Sequence, residues 1–319
     1  MRALALSIVL ASIPLASTAL AQKVTRQVYA VPEGSHPHDV APAADGGIWY
    51  TAQHRGALGH LDPKTGKVEE VKLGQGSRPH GVILAADGAA WVTDSGLNAM
   101  VRVDGKTRAV TSFPLPQGSG YTNLNTAAID GRGVIWFTGQ SGIYGRLDAA
   151  KNDLKLWTSP KGRGPYGIAA TPKGEIWYVS LAGSYLAQID TASGEAKLFP
   201  PPTPDQGARR VWSDSKGLLW VSEWNSGNVS RYDPVKGDWK LWRLPGQRPR
   251  TYSVYVDETD KVWLTEWTAN AVVRFDPATE VFESFPSERA NSTVRQMLGR
   301  KGEVFAPESG TDRLVVFRY

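Results

Sequence analysis

Six tryptophans return along this chain at nearly constant intervals. Trp49, Trp91, Trp136, Trp177, Trp220 and Trp263 are separated by 42, 45, 41, 43 and 43 residues, and Phe305 follows after another 42 in the same setting. Each anchor sits in one recurring unit: a short strand, a Gly- or Asp-rich turn, the aromatic-centred strand, a turn with Gly or Asn, a strand ending in Asp, and a strand ending in Pro. Asp87-Gly88-Ala89-Ala90-Trp91-Val92-Thr93 and Lys173-Gly174-Glu175-Ile176-Trp177-Tyr178-Val179 show the likeness. Segments of roughly 4–7 residues, rich in β-branched and aromatic side chains and bounded by turn formers, read as strands. No helical periodicity competes with them. Four strands in about 42 residues is the length of one propeller blade. The chain is therefore expected to be all-β, a seven-bladed β-propeller with four-stranded blades, in a single domain over residues 22–319.

Closure of the ring is also legible. The last unit ends at Tyr319 after a third strand, Leu314 to Phe317, with no fourth. The segment Arg26-Gln27-Val28-Tyr29-Ala30-Val31-Pro32 resembles a fourth strand such as Val110 to Pro116. The N-terminal strand is expected to complete the seventh blade and so remove open sheet edges.

Ahead of that strand, Arg2 precedes an uncharged run from Ala3 to Ala19, and Ala19-Leu20-Ala21 offers a small-x-small cleavage site. This predicts a signal peptide over residues 1–21 and a periplasmic or secreted mature protein. The chain has no cysteine, so an exported fold would draw stability from size and closure rather than disulfides. Thiolate metal sites and a cysteine nucleophile are excluded. The net charge of +5 comes without Lys/Arg clusters, which gives no case for a nucleic-acid partner. No later segment reaches the ~20 apolar residues of a membrane span. A monomer is expected.

The repeating aspartates Asp62, Asp104, Asp148, Asp190, Asp233 and Asp276 each end a third strand. They read as turn caps rather than catalytic acids. Chemistry is expected instead at the channel mouth, where the first strand of each blade begins. Eleven residues before each anchor stand His38, His80, Asn125, Tyr166, Arg209, Tyr252 and Val294. Three residues after each stand Ala52, Asp94, Gly139, Ser180, Glu223, Glu266 and Glu308.

Glu223, Glu266 and Glu308 on successive blades could share Mg²⁺ or Ca²⁺, or could pair with Arg209, Arg210, Arg250 and Arg295 around a wet tunnel. His80 and Asp94 could form an oriented general base, or be a solvated histidine and a turn former. Trp224 and Trp267 could give an apolar platform or ordinary inter-blade packing. Tyr166, Arg209, Tyr252, Trp224, Trp267 and Arg295 are the candidate substrate-binding residues. The expected partner is a small-molecule or peptide-like ligand at this mouth.

Arg78-Pro79-His80-Gly81-Val82, Asp87-Gly88 and Trp91-Val92-Thr93-Asp94 together resemble the repeat of the streptogramin (virginiamycin B) lyases, whose blades read R-P-H-G-I, D-G and W-F-T-E. Pro37-His38-Asp39, Pro165-Tyr166-Gly167-Ile168, Thr265-Glu266-Trp267 and Gly145-Arg146-Leu147-Asp148 extend the resemblance over residues 27–319. It implies a seven-bladed propeller and a Mg²⁺-dependent elimination that opens a cyclic depsipeptide at its ester. It also implies a base that removes a Cα proton and a cation that stabilises the enolate-like charge. In the family the base is a histidine in the last blade, followed by an acid at the end of that blade's second strand. Here the acid matches at Glu308, while Val294 stands at the histidine position, and Tyr252 stands where the preceding blade carries another histidine. His38 and His80 occupy equivalent positions on the first two blades. The candidate catalytic set is therefore His80, Asp94, His38 and Glu308. Two other functions stay open: a non-catalytic ligand- or protein-binding propeller, and a metal-dependent lactonase or esterase.

Overall fold

A computed structural model describes residues 23–319; the predicted signal peptide lies outside them. The described strands form seven four-stranded antiparallel sheets, one per repeat. The blades span residues 37–72, 79–114, 124–158, 165–199, 208–243, 251–286, and, for the seventh, 298–318 together with 25–30. Each runs from an inner strand beside the central channel to an outer strand at the rim. Among the described residues no helix is long and apolar enough to cross a membrane.

The ring closes as the sequence predicts. Thr25–Ala30 pairs antiparallel with Arg313–Arg318, with Thr25 opposite Arg318 and Ala30 opposite Arg313. The first and last strands of the described residues thus share one sheet.

The aromatic anchors fill the seams between blades. Trp49, Trp136, Trp177, Trp220 and Trp263 are essentially inaccessible, each removing about 150–250 Å² from water. In three blades the indole N–H donates to the aspartate six residues earlier: Trp136 to Asp130 (3.1 Å), Trp220 to Asp214 (3.0 Å) and Trp263 to Asp257 (2.7 Å). The same carboxylates cap the adjoining turn, as where Asp257 accepts from the Thr259 and Lys261 amides. The third-strand aspartates likewise cap turns; Asp104, for example, accepts from the Lys106 and Thr107 amides.

In four blades the hydroxyl two residues after the anchor ties one blade to the next. Thr51 donates to the His80 carbonyl (2.8 Å), Thr93 to that of Asn125 (2.5 Å), Thr138 to that of Tyr166, and Ser222 to that of Tyr252 (2.7 Å). The same oxygens accept from their own blade's inner strand, at the amides of Asp39, Gly81 and Arg210 for Thr51, Thr93 and Ser222. These amides lie at the one-residue bulge near the start of each inner strand. Satisfying a buried N–H and a neighbouring C=O with one hydroxyl fixes where each inner strand begins.

Removing residues 23–30 would leave the edge of Arg313–Arg318 unpaired. The expected outcome is a lower, broader thermal transition and concentration-dependent aggregation, read by calorimetry and size-exclusion chromatography. An unchanged transition would show that the closing strand is dispensable.

Candidate functional site

The channel mouth is built from the residues that open the inner strands. Pro37, Pro79, Leu124, Pro165, Ala208 and Thr251 each pair with the last residue of the second strand. The next residues, His38, His80, Asn125, Tyr166, Arg209 and Tyr252, form the ring predicted from sequence. In the seventh blade Val294 pairs with Glu308, so the equivalent residue is Arg295 and not Val294. The eleven-residue count slips there because only Lys301 and Gly302 separate the paired Arg300 and Glu303. In the first blade three residues fill that turn, between Ala43 and Gly47. Val294 instead packs in the apolar core.

Side chains from five blades, its own included, meet around the Tyr252 phenol. Its oxygen lies 3.1 Å from the Tyr166 hydroxyl and 3.4 Å from His38 Nε2, and accepts from Arg295 at 3.4 Å. The Arg209 guanidinium sits 4.0 Å from the Tyr252 ring centroid, 4.8 Å from that of Tyr166 and 4.5 Å from that of Trp224, and donates to the Tyr166 hydroxyl at 2.9 Å. Trp267 stacks on Tyr252 with centroids 4.9 Å apart and planes 4° apart, and Trp224 meets both edge-on. Arg295 lies 5.0 Å from the Trp267 ring. Trp224 and Trp267 are half-buried at the rim, so they serve packing and border the mouth at once.

Below this layer lies an ion pair across the channel. Arg210 of the fifth blade reaches Asp39 of the first, at 3.1 Å to Oδ1 and 3.4 Å to Oδ2, and also donates to the Thr126 hydroxyl of the third. His38 Nδ1 lies 2.7 Å from the same Asp39 Oδ1, and the His80 ring packs on that of His38 at 3.9 Å. His80 Nδ1 lies 3.0 Å from the Asn125 carbonyl.

Electrostatics follow from this crowding. Burial, reinforced by Arg295, Arg210 and Arg209, holds the His38 pKa well below the usual imidazole value. Burial, then His38, does the same for His80. Both are neutral at neutral pH. Burial raises Asp39, against the pull of Arg210. Burial would also raise Tyr252, but Arg209, Arg210 and Arg295 together outweigh it and bring the phenol down to about 7. Its neighbour Tyr166 moves the other way, through burial and the adjacent Tyr252 charge. One phenol of the pair is thus poised to ionise near neutrality while the other keeps its proton.

The acids expected at the site are engaged elsewhere. Asp94 does not meet His80: it accepts from the Ser77 hydroxyl and from the Arg78, Gly96 and Leu97 amides. Glu266 accepts from the Arg250, Thr268 and Ala269 amides. Glu308 accepts from Arg313 and Thr311, and Glu223 from Ser226 and Asn228. Each caps the turn that follows its own strand, so the structure brings together neither the His80–Asp94 pair nor a Glu223–Glu266–Glu308 metal site. The salt bridges expected between those glutamates and Arg209, Arg210, Arg250 and Arg295 are likewise not formed.

Among the described residues, one group of three or more such side chains has its ligand atoms within 4.8 Å of one another: His38, Asp39 and His80. Two imidazoles and one carboxylate are a poor set for Mg²⁺, which prefers oxygen. Both Asp39 oxygens are already engaged by Arg210, and three guanidiniums crowd the cluster. The residues present do not fit Mg²⁺.

Asp39 and Thr126 are site residues that the sequence does not single out, and Arg210, expected to pair with the glutamates, pairs with Asp39 instead. They stand one position after the ring, where the inner-strand bulge turns a second layer toward the axis. Opposite charges at equivalent positions of blades one and five were the available signal. At the same position in the fourth blade stands Gly167, where a Cβ would come within 2.6 Å of the Arg210 Cα.

Comparison with known proteins agrees with this architecture. The model of the virginiamycin B lyase family matches residues 16–237. Virginiamycin B lyase from Staphylococcus aureus superimposes with a TM-score of 0.85 at 18% identity, over 93% of this chain and 100% of that one. A streptogramin B lyase structure gives 0.85 at 20% identity, over 92% and 97%. YCF48 bound to D1 peptide gives 0.73 at 14%, over 92% and 95%. At these identities the structural matches speak for the fold. A search of curated proteins returns no significant match.

The cluster predicts one unusual phenol. Ultraviolet difference titration should show a single tyrosine ionising near pH 7 in the wild type. It should be absent in Tyr252→Phe and displaced upward in Arg209→Gln. If every phenol titrates at or above the ordinary tyrosine value of about 10, the electrostatic account of the cluster is wrong.

Proposed function

We propose, starting from the fact that the chain belongs to the virginiamycin B lyase family, that the channel mouth carries out elimination across a carbon–oxygen bond with Tyr252 as the base. The observation that carries this reading is the convergence of Arg209, Arg210 and Arg295 on one buried phenol. Elimination needs a base for a proton next to a carbonyl and positive charge for the enolate-like oxygen. A tyrosinate among guanidiniums supplies both without a histidine in the last blade.

In the proposed step the ionised Tyr252 oxygen takes the Cα proton. The C–H electron pair becomes the Cα=Cβ double bond, and the Cβ–O bond breaks with its pair leaving on oxygen. From an ester the leaving group is a carboxylate and needs no proton. His38 Nε2, 3.4 Å from the phenol oxygen, lies where it can pass the captured proton onward. Arg209 and Arg295 face the developing charge, and Trp224 and Trp267 narrow the mouth. Export with cleavage after Ala21 belongs to the same proposal, and N-terminal sequencing of the secreted protein checks it.

The alternative is a non-catalytic binding propeller. It is favoured by the cover over the Tyr252 side chain, which is fully buried.

Mass spectrometry separates the readings. Purified protein is incubated with a type B streptogramin, and with O-acetyl-threonine as its N-acetylated acid and as the corresponding amide. Elimination gives an unsaturated product with no water added, a ring-opened product of unchanged mass in the cyclic case. Addition of water would indicate an esterase or lactonase, and no turnover of any of them the binding module; either result overturns the elimination reading. For an eliminating enzyme, Tyr252→Phe is expected to lower kcat about 10²–10⁴-fold. The wild-type rate should rise with pH through about 7 as the phenol loses its proton.

A further inference from the structure

We infer that the ligand of this mouth carries a free carboxylate, received by Arg209 and Arg295 at the rim. This deepens the elimination reading by naming a substrate class, and it rests on that reading only for the chemistry that follows binding.

The first observation is an imbalance of charge. The centre holds three guanidiniums, from Arg209, Arg210 and Arg295, against one carboxylate, Asp39. The two histidines add none, because burial and the arginines hold them neutral. Positive charge stays in excess even after Tyr252 ionises. Partly buried charge without a counter-charge is costly, and an anionic ligand relieves it.

The second observation is which donors are free. Many arginines away from the channel are paired with carboxylates, among them Arg102 with Asp87, Arg146 with Asp153, Arg274 with Glu283 and Arg318 with Glu303, whereas Arg231 lies over the Trp220 and Trp242 rings. Among the described residues neither Arg209 nor Arg295 has a carboxylate partner. Arg209 donates to the Tyr166 hydroxyl and Arg295 to that of Tyr252, and the buried Nε of each has no acceptor. Arg210, by contrast, is committed to Asp39 and Thr126. Aromatic faces hold the two unpaired guanidiniums in place: Trp224 and Tyr252 for Arg209, Trp267 and Tyr252 for Arg295. Stacking engages a guanidinium's face and leaves its N–H edge available, and that edge matches the two oxygens of a carboxylate.

The third point is chemical. A proton next to a carboxylate is hard to remove, because the product would carry two negative charges on one group. Guanidiniums paired with that carboxylate cancel one of them and bring the proton within reach of a nearby base. An acid with an acyloxy group on its β carbon therefore suits this mouth better than a neutral macrocycle.

Isothermal titration of the intact mature protein tests this with N-acetyl-L-tryptophan, its carboxamide, and sodium sulfate. The acid should bind at least about tenfold more tightly than the amide and more tightly than sulfate; tenfold corresponds to about 1.4 kcal/mol. Arg209→Gln and Arg295→Gln, each melting like the wild type, should lose most of that preference. Arg295→Lys, which keeps the charge but not the fork, should fall between. If a glutamine variant does not fold, the acid–amide comparison on the wild type and the lysine variant still decides. Equal binding of acid and amide, no binding of either, or undiminished affinity in folded glutamine variants would overturn the inference. Sulfate binding as tightly as the acid would reduce the site to a general anion trap and overturn it as well. Unsaturated product without carboxylate preference sinks this inference and leaves elimination standing. Carboxylate-selective binding without product does the reverse.

Discussion

The pairing of Thr25–Ala30 with Arg313–Arg318 is the interaction on which every other position depends. A propeller blade exposes apolar faces to both sides and is stable only between two neighbours. With the seam closed, each blade has two, and the aromatic anchors, six tryptophans and Phe305, fill the gaps between them. Closure also sets the geometry at the axis. Seven inner strands converge there, and four hydroxyl links between successive blades hold His80, Asn125, Tyr166 and Tyr252 at fixed places. The functional side chains thus inherit their positions from a circuit that has no free end.

That circuit explains which parts of the molecule the sequence discloses. Blade number, turn aspartates and closing strand are local or periodic features, and a period can be counted. Six of the seven ring residues were found by counting eleven back from an anchor. For the seventh the count lands one residue early, on Val294, because a turn lost one residue, and a count carries no information about how a turn closes. Arg295, a candidate ligand-binding residue from the sequence, takes its place in the ring through the pairing of Val294 with Glu308. Asp94, Glu223, Glu266 and Glu308 misled for a different reason. An acid at a strand end near a channel has the same signature whether it faces a ligand or caps its own turn. Deciding between them requires knowing where the backbone amides lie.

The site departs from the pattern its family resemblance implies while keeping the scaffold. Where a last-blade histidine was expected stands Arg295, and where the preceding blade was expected to carry another stands Tyr252. The two substitutions make sense together. A phenol is too weak a base at neutral pH on its own, and the arginines around it supply the field that changes this. Replacing either partner alone would leave an inert tyrosine or an uncompensated cation. This coupling is a physical reason for a histidine site and a tyrosine–arginine site to interchange as units on one ring.

The Arg210–Asp39 pair has a mechanical meaning as well as an electrostatic one. A ring whose members touch only their neighbours can alter its diameter by many small tilts in the same sense. The contact from the fifth blade to the first spans the axis like a cross-brace and removes that mode, since spreading the blades would part the two charges. Aperture is therefore governed from inside the channel, which makes the mouth a doorway of set width rather than one that stretches.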